Sequence, residues 1–202
     1  MATFEFFFDC SSPWTYLAFT RIQPIVARTG ADIVWKPILV GGVFNAVNKE
    51  VYERRANPDP RKAAYSAKDL QDWAKMLGLK IVMPPPVFPV RATLAMRCAL
   101  VAQEEGKVVG FARHCFEAYW SHLQDISQPA VIEKVCEAAD LDGKHILERS
   151  GHDDIKARLR ANTDELIARG GFGSPTIFVG GDDMYFGNDR LPLIRDAVLR
   201  RR

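Results

Sequence analysis

Four phenylalanines between positions 4 and 8 predict a buried strand at the start of the chain. The polar sequence DCSSP ends this apolar run, and a helical period begins behind it. Pro13 suits the first turn of the helix because its missing N–H group is not needed there, and Ser12 suits the N-cap. A hydroxyl is therefore expected at a strand-to-helix turn, where free N–H groups and the helix dipole favour a bound anion. A plain helix cap explains the same residues equally well.

A second strand and a long connecting segment follow the first helix. The helix is predicted to run from Pro13 to about Ala27, and the sequence DIVWKPIL (32–39) predicts a strand. Strand, helix and strand in this order form a β-α-β unit with parallel strands and a right-handed crossover. Residues 40–65 are rich in Gly, Asn, Pro and charge, so we predict a long irregular loop there.

Helical periodicity dominates the middle of the chain, and strand patterns return only near its end. Five successive segments have apolar residues at helical spacing: 66–78, 91–106, 108–123, 129–140 and 152–170. Ser127 is predicted to cap the fourth of these helices. The sequences PTIFV and DMYFG, separated by two glycines and an aspartate, predict a hairpin, and a last helix is expected from Asn188. The order is thus β-α-β, a helical block, and β-β-α.

Composition and charge exclude several classes of protein. A chain of 202 residues that is 48% hydrophobic can form one domain, or one domain with an insertion. The 27 basic and 25 acidic residues are scattered, apart from the terminal Arg200–Arg202, so we expect no nucleic-acid surface. Glu5 and Asp9 lie in the first apolar run, and no apolar span approaches membrane length. We therefore expect neither a signal peptide nor a membrane span.

The four cysteines, at positions 10, 98, 115 and 136, form no C-x-x-C motif and no pair of zinc ligands. We expect reduced thiols in a cytoplasmic protein, and no metal site. Cys10 lies near a helix start that would lower the pKa of a thiol. A small apolar residue at the end of a strand is the simpler interpretation of Cys10.

Several motifs, in their order along the chain, resemble one group of thioredoxin-like proteins. The sequences FDCSSPWTYLAF, KPILVGGVF, DISQPAVIEKV and GGFGSPTIFVGGDDMYFGNDRL resemble segments of the 2-hydroxychromene-2-carboxylate isomerases and the related kappa-class glutathione transferases. The resemblance covers nearly the whole chain. It implies an α/β thioredoxin-like fold of the DsbA group, formed by residues 1–43 and 171–202. Residues 44–170 would form an inserted loop and an all-helical domain.

The resemblance also implies glutathione as the cofactor and Ser12 as the catalytic residue. Ser12 and Thr15 stand where DsbA-type oxidoreductases have the two cysteines of C-x-x-C, so dithiol-disulfide exchange is not expected. Ser12 would instead hold the glutathione thiolate by a hydrogen bond at the helix N-terminus. Ser174, before a cis-proline at Pro175, would bind the cysteinyl backbone. Without the resemblance, a trans-proline at a strand start is the simpler interpretation.

Separate candidates are implied for the two ends of glutathione. Asn188, as an N-cap, and Asp189, as a counter-charge, would bind the γ-glutamyl carboxylate and ammonium. Lys62 is the candidate partner of the glycyl carboxylate, and Asn48 is a weaker one. Ordinary helix capping also explains Asn188 and Asp189, and a solvated loop cation is the usual role of such a lysine.

At the level of reaction, the resemblance implies a glutathione-dependent cis-trans isomerase of aromatic, naphthalene-type catabolism. It would interconvert 2-hydroxychromene-2-carboxylate and trans-o-hydroxybenzylidenepyruvate without consuming glutathione. Its small aromatic carboxylate substrate would need flat apolar walls and a cation, for which the candidates are Trp14, Phe44, Phe88, Tyr185 and Arg91.

Three alternatives stay open. A kappa-like glutathione transferase would conjugate an electrophile and consume glutathione. A non-catalytic thioredoxin-like module would bind peptides along the proline edge. A thiol enzyme would use Cys10 as its nucleophile. Because relatives in this group are often dimers, a homodimer is a further expectation.

Overall fold

A computed structural model describes residues 3–201 of the chain. Positions 1, 2 and 202 lie outside the described residues. The first two and the last residue of the predicted thioredoxin-like domain, and Arg202 of the terminal arginine group, therefore have no structural description. Four strands occur within the described part: β1 (Thr3–Phe8), β2 (Asp32–Pro37), β3 (Thr176–Val179) and β4 (Asp183–Phe186). The α-helices there are α1 (Pro13–Thr29), α2 (Val40–Val47), α3 (Glu50–Ala56), α4 (Pro60–Met76), α5 (Thr93–Glu104), α6 (Val108–Phe116), α7 (Pro129–Ala138), α8 (Gly143–Ser150), α9 (Asp153–Ala168) and α10 (Leu191–Leu199). A π-helical turn, Glu117–Ser121, follows α6, and a 3-10 turn, Asn188–Arg190, precedes α10.

The four strands form one mixed sheet in the order β2-β1-β3-β4. β1 is parallel to β2 and antiparallel to β3, and β3 and β4 form an antiparallel hairpin. The predicted parallel β-α-β unit and the predicted terminal hairpin are therefore confirmed. Both lie at the ends of the chain, with the helices α2 to α9 between them.

The continuous apolar run of β1 is explained by burial on both faces of the sheet. Phe6 and Phe8 belong to the main core and pack against Trp35. Phe7 points to the opposite face, where its ring lies edge-on to that of Phe178 at 5.6 Å. Since side chains alternate along a strand, a central strand that is covered on both faces is apolar at nearly every position.

The first helix begins and ends with the signals that its sequence carries. Pro13 occupies its first turn, and the Ser12 side chain caps it by accepting a hydrogen bond from the Thr15 N–H group. Gly30 ends the helix in the left-handed conformation, with φ of 58°, which glycine adopts without a steric cost. The last helical residue is Thr29, so the helix stops at the predicted Thr29–Gly30 end signal.

The prediction of an irregular loop over residues 40–65 is wrong. This segment contains α2, α3 and the first residues of α4. The N-terminus of α2 is capped from a distance, because the Val40 N–H group donates to Asp9 Oδ2 at 2.8 Å. Asp59 caps α4, whose first residue is Pro60, so this helix begins well before Ser66.

Three further boundaries differ from the predictions. Gln128, not Ser127, occupies the N-cap position of α7. Helix α8 was not predicted, because a single large, fully buried apolar residue, Ile146, gives no helical periodicity. Asp142 caps the start of this helix. The 3-10 turn precedes the C-terminal helix, and its N-cap is Gly187. Asn188, predicted as an N-cap, is the first residue of this turn.

Two other expectations concern domain boundaries and membrane spans. The predicted boundary between positions 43 and 44 falls inside α2, and the division into two domains stays a prediction. None of the helices within residues 3–201 combines the length and the hydrophobicity needed to cross a membrane.

Candidate functional site

The Ser12 hydroxyl lies at the N-terminus of the 17-residue helix α1, beside the first residues of β3. Its Oγ accepts a hydrogen bond from the Thr15 N–H group at 3.2 Å and donates one to the Ser174 carbonyl oxygen at 3.1 Å. Ser12 is only 8% exposed. The positive end of the α1 dipole and this hydroxyl together create a place that stabilises negative charge.

Ser174 is joined to the same turn by its side chain. The peptide bond between Ser174 and Pro175 is cis, as expected. Ser174 Oγ lies 2.8 Å from Thr15 Oγ1 and accepts a hydrogen bond from the Asp9 N–H group at 3.2 Å. The buried hydroxyls of Thr15 and Ser174 are thus hydrogen-bonded to each other, and the Ser12 hydroxyl is hydrogen-bonded to the backbones of both residues. These hydroxyls lie where a dithiol oxidoreductase would need two thiols.

The buried carboxylate of Asp9 stabilises this turn by hydrogen bonds. Asp9 was not among the site residues predicted from the sequence. Its Oδ1 accepts hydrogen bonds from the N–H and hydroxyl groups of Ser11, both at 2.8 Å, while Oδ2 binds the Val40 N–H group. Burial raises the pKa of the Asp9 carboxyl, and hydrogen bonds from Ser11 and Val40 offset part of this effect. The signal was present in the sequence, since Asp9 is a polar residue that directly follows a buried strand.

A cavity of about 1010 Å³ opens beside the Ser12 turn. Its walls come from this turn, from α2 and α3, from one face of α4, and from the segments 88–90, 172–175 and 186–190. Nine of the residues predicted from the sequence lie in these walls: Ser12, Trp14, Phe44, Asn48, Phe88, Ser174, Pro175, Asn188 and Asp189. Residues far apart in the chain are thus brought to one cavity.

Asn188 is the most buried polar group in the cavity wall. It is 4% exposed, and its side-chain Nδ2 has no hydrogen-bond partner among the described residues. The Asn188 carbonyl accepts a hydrogen bond from Arg21 Nη1 at 2.7 Å, and the Arg21 guanidinium lies 4.2 Å from the Trp73 ring centroid. Arg21 therefore fixes the 3-10 turn from the side of α1. An unpartnered buried amide is costly, so a cavity ligand that accepts its hydrogen bond would be favoured.

Two of the predicted glutathione contacts have protein partners already. Asp189 is exposed, and its Oδ2 lies 2.7 Å from Nη1 of Arg190. Asn48 follows α2 and donates a hydrogen bond from Nδ2 to the Phe172 carbonyl oxygen at 3.0 Å. Both residues still line the cavity, so a ligand would share or replace these contacts.

Three predicted site residues lie outside the cavity wall. Lys62 is exposed in the first turn of α4, where its backbone N–H group donates to Asp59. Arg91 is exposed just before α5. Tyr185 packs against the main core in β4, and its hydroxyl donates to Asp183 Oδ2 at 3.1 Å. The cavity geometry therefore gives these three residues no direct support.

Sequence reasoning also missed the residues that α3 and α4 bring to the cavity. Most of them are aromatic or charged: Tyr52, Arg54, Arg55, Tyr65, Asp69 and Trp73. Because residues 40–65 were predicted to form a loop, the residues of α3 could not be recognised as belonging to one helix. Hydrophobic periodicity carries no signal for α3, because this helix contributes no buried residue.

None of the four cysteines lines the cavity. All four are free and buried. Burial raises the pKa of the Cys10 thiol well above its ordinary value, and the neighbouring Cys115 raises it further. Burial also raises the pKa values of Cys98 and Cys136 to about 12. The helix start near Cys10 therefore does not lower its pKa, and thiol chemistry in this cavity would need a thiol from outside.

Comparison with known proteins identifies the family to which this architecture belongs. The sequence pattern of the DSBA-like thioredoxin domain family matches residues 3–199. Glutathione S-transferase kappa 1 of Caenorhabditis elegans is 30% identical over 207 residues, which cover 96% of this chain and 89% of that protein. The 2-hydroxychromene-2-carboxylate isomerase of Pseudomonas putida is 28% identical over 200 residues, with 97% and 94% coverage.

A solved structure of a 2-hydroxychromene-2-carboxylate isomerase is similar along almost the entire chain. It matches with a TM-score of 0.79 at 25% sequence identity, covering 98% of this chain and 95% of that structure. The predicted thioredoxin-like fold with inserted helices is confirmed by this likeness and by the family pattern.

Proposed function

This chain belongs to the DSBA-like thioredoxin domain family, in the group of 2-hydroxychromene-2-carboxylate isomerases and kappa-class glutathione transferases, and we propose that it is a glutathione-dependent cis-trans isomerase. The substrate pair would be 2-hydroxychromene-2-carboxylate and trans-o-hydroxybenzylidenepyruvate. The observation that carries the proposal is the Ser12 hydroxyl, held at the N-terminus of α1 beside the cavity, with a threonine in place of a second thiol.

The residues at the cavity wall fit the chemistry of glutathione. Ser12 offers a hydroxyl to a sulfur, Ser174 offers a backbone carbonyl to a peptide N–H group, and the unpartnered amide of Asn188 suits a carboxylate. Asp189 offers a carboxylate to the γ-glutamyl ammonium if it shares its contact with Arg190. The glycyl end would face α4, whose first turn carries Lys62.

Ser12 would exchange one hydrogen-bond partner for another when a peptide binds. Its hydroxyl hydrogen is donated to the Ser174 carbonyl oxygen. A peptide N–H group that takes over this carbonyl leaves the Ser12 hydroxyl free to donate to a thiolate. A charge-assisted hydrogen bond of this kind, together with the helix dipole, lowers the pKa of a thiol.

The remaining residues of the cavity would position the substrate and exclude water. Bound glutathione supplies a reversible thiol nucleophile, and reversible addition to a conjugated double bond permits a cis-trans change without net consumption. Trp14, Phe44 and Phe88 offer flat apolar surfaces to a conjugated ring system. Because these surfaces exclude water, the Ser12 hydrogen bond acts in a medium of low dielectric constant, which strengthens it.

The proposal includes a place in the catabolism of naphthalene-type aromatics and a cytoplasmic location. The support for the location is that the four cysteines are free, as is usual for proteins of a reducing compartment. Relatives named as isomerases support the reaction class.

The proposal is tested by following the conversion of 2-hydroxychromene-2-carboxylate spectrophotometrically, with and without glutathione, while free thiol is titrated. We expect conversion to require glutathione and free thiol to stay constant over many turnovers. Equal conversion without glutathione would contradict the proposal. A structure determined after soaking with glutathione would report directly whether its sulfur lies within hydrogen-bond reach of Ser12 Oγ.

A kappa-like transferase is the second candidate, since the Caenorhabditis elegans relative of that name is 30% identical over most of the chain. The same cavity could then hold glutathione for irreversible addition to an electrophile. Loss of one free thiol for each substrate molecule consumed would favour the transferase and exclude the isomerase.

A further inference from the structure

Arg55 of α3 occupies an unusual position at the cavity. Its guanidinium carbon lies 5.6 Å from the ring centroid of Phe44 and 5.4 Å from that of Phe88. All three side chains line the cavity that contains Ser12. The guanidinium therefore contacts two aromatic rings, one from α2, which precedes Arg55 in the chain, and one from the segment before α5, which follows it.

Arg55 also lacks a counter-charge. None of the ion pairs formed within residues 3–201 includes it. The cavity residue Arg190, by contrast, pairs with Asp189. An aromatic ring covers the flat face of a guanidinium, whereas the N–H groups point outward in its plane and stay available to a ligand. These groups form a planar fork that matches the two oxygens of a carboxylate.

We propose that Arg55, Phe44 and Phe88 form the subsite that binds the carboxylate of a flat, conjugated co-substrate. This inference rests on the proposed function, because it concerns the second substrate of the same cavity. The two rings stack against the conjugated system, and Arg55 binds its carboxylate in a bidentate manner. The cation expected from the sequence was Arg91, but that residue is exposed and does not line the cavity.

The subsite makes the negative charge of the co-substrate a determinant of specificity. A conjugated acid would use both the rings and the guanidinium, whereas its ester would use only the rings. The difference between acid and ester should therefore disappear when the guanidinium is removed. Glutathione binding at the Ser12 turn should not change with it.

The test compares trans-o-hydroxybenzylidenepyruvate with its methyl ester as substrates for the wild-type protein and for Arg55→Met, at saturating glutathione. For the acid, kcat/KM should fall roughly 10- to 100-fold in Arg55→Met, since a bidentate charged contact is lost. The ester should react at nearly the same rate with both proteins. Arg55→Lys should recover only part of the loss because lysine lacks the planar fork.

Arg61→Met is the matched control, since Arg61 is an exposed arginine outside the cavity wall. It should leave both substrates unaffected. Three outcomes would overturn the inference: unchanged kcat/KM for the acid in Arg55→Met, equal losses for acid and ester, or a loss in Arg91→Met without one in Arg55→Met. A rise confined to the KM for glutathione would overturn it as well, because Arg55 would then bind glutathione.

The proposed function and this inference fail in different ways. If the wild-type protein is neither stabilised against thermal unfolding by glutathione nor dependent on it for turnover, the proposed function fails. If both properties are present but the Arg55→Met result is negative, only the carboxylate subsite fails. Thermal unfolding of Arg55→Met without ligand reports whether the variant is folded.

Discussion

The cavity has two walls that differ in how firmly they are held. The inner wall consists of Ser12, Ser174 and Asn188 with their turns, and these residues are 8%, 7% and 4% exposed. The outer wall consists of α3 and the face of α4 that carries Tyr65, Asp69 and Trp73. α3 contributes no buried residue, and Tyr65 of α4 is 69% exposed.

This difference has a physical meaning for binding. Each hydroxyl of the inner wall is fixed by partners in other elements, so its geometry is set before a ligand arrives. Helix α3 of the outer wall contributes no buried residue, so its substitutions should change the free energy of unfolding little. A constant ligand such as glutathione suits the inner wall, and a variable co-substrate suits the outer wall. Substitutions in the two walls should therefore have effects of different kinds.

The largest effect is expected from Ser12→Ala, which removes the hydroxyl that would hold the thiolate. Loss of one preorganised donor to a developing or stabilised anion costs about 100- to 1000-fold in turnover. We expect a loss of this size in kcat, together with a raised pKa of bound glutathione measured by thiolate absorbance.

Cys10→Ala is the control for Ser12→Ala because Cys10 lies two residues earlier in the same turn. Its thiol is buried and its pKa is raised, so activity should be retained. Activity that survives in Ser12→Ala and disappears in Cys10→Ala would assign the nucleophile to the protein itself. The role of the inner wall in holding an external thiol would then be wrong.

Ser174→Ala should cost stability as well as activity. It leaves Thr15 Oγ1 and the Asp9 N–H group without their partner in a buried place. Unsatisfied buried groups cost about 1–3 kcal/mol, so the free energy of unfolding should fall by that amount in chemical denaturation. Ser66→Ala is the control, since Ser66 is an exposed serine of α4. Equal losses in the two variants would contradict a specially fixed inner wall.

The parts of the fold that the sequence predicted well are those with local signals. The phenylalanine run of β1, the Ser12–Pro13 helix start and the glycine turn of the hairpin each specify their element within a few residues. Helix α2 depends instead on Asp9, which binds the Val40 N–H group from 31 positions away. No periodicity within residues 40–65 contains that information, and the Gly and Asn of α2 favoured a loop.

The candidate site divides in the same way. Ser12 and Ser174 lie in short motifs, and the fold brings them together as the motifs imply. Arg55 acquires its significance only from its position over Phe44 and Phe88, which are contributed by two other segments. Arg91 was the cation predicted from the sequence, but it is exposed and does not line the cavity. Contacts between distant segments are the part that local pattern cannot supply.

A smaller effect is expected in the dependence of stability on pH, through Asp9 beneath the inner wall. Burial raises the pKa of this carboxyl in the folded protein above its ordinary value of about 4. The folded state therefore binds this proton more tightly than the unfolded state. The resulting stabilisation is complete below about pH 4 and is lost as pH rises through the folded pKa.

Comparison of the wild-type protein with Asp9→Asn, which does not titrate, isolates this effect. The free energy of unfolding should shift in favour of the wild-type protein as pH is lowered from 7 towards about 4. Denaturation at several pH values measures the difference. A difference that instead grows as pH rises would mean that the hydrogen bonds from Ser11 and Val40 outweigh burial.

The smallest effect is expected from Lys62→Ala, in the first turn of α4 but outside the cavity wall. Lys62 is exposed, so a contact between its ammonium and the glycyl carboxylate would be screened by water and salt and worth about 0.2–1 kcal/mol. We expect the KM for glutathione to rise roughly 1.5- to 5-fold at low salt and the rise to vanish at high salt. The free energy of unfolding should change by less than about 0.5 kcal/mol, as for other exposed substitutions. A loss of glutathione binding as large as that in Ser12→Ala, independent of salt, would mean that the first turn of α4 closes on the cofactor and is held as firmly as the inner wall.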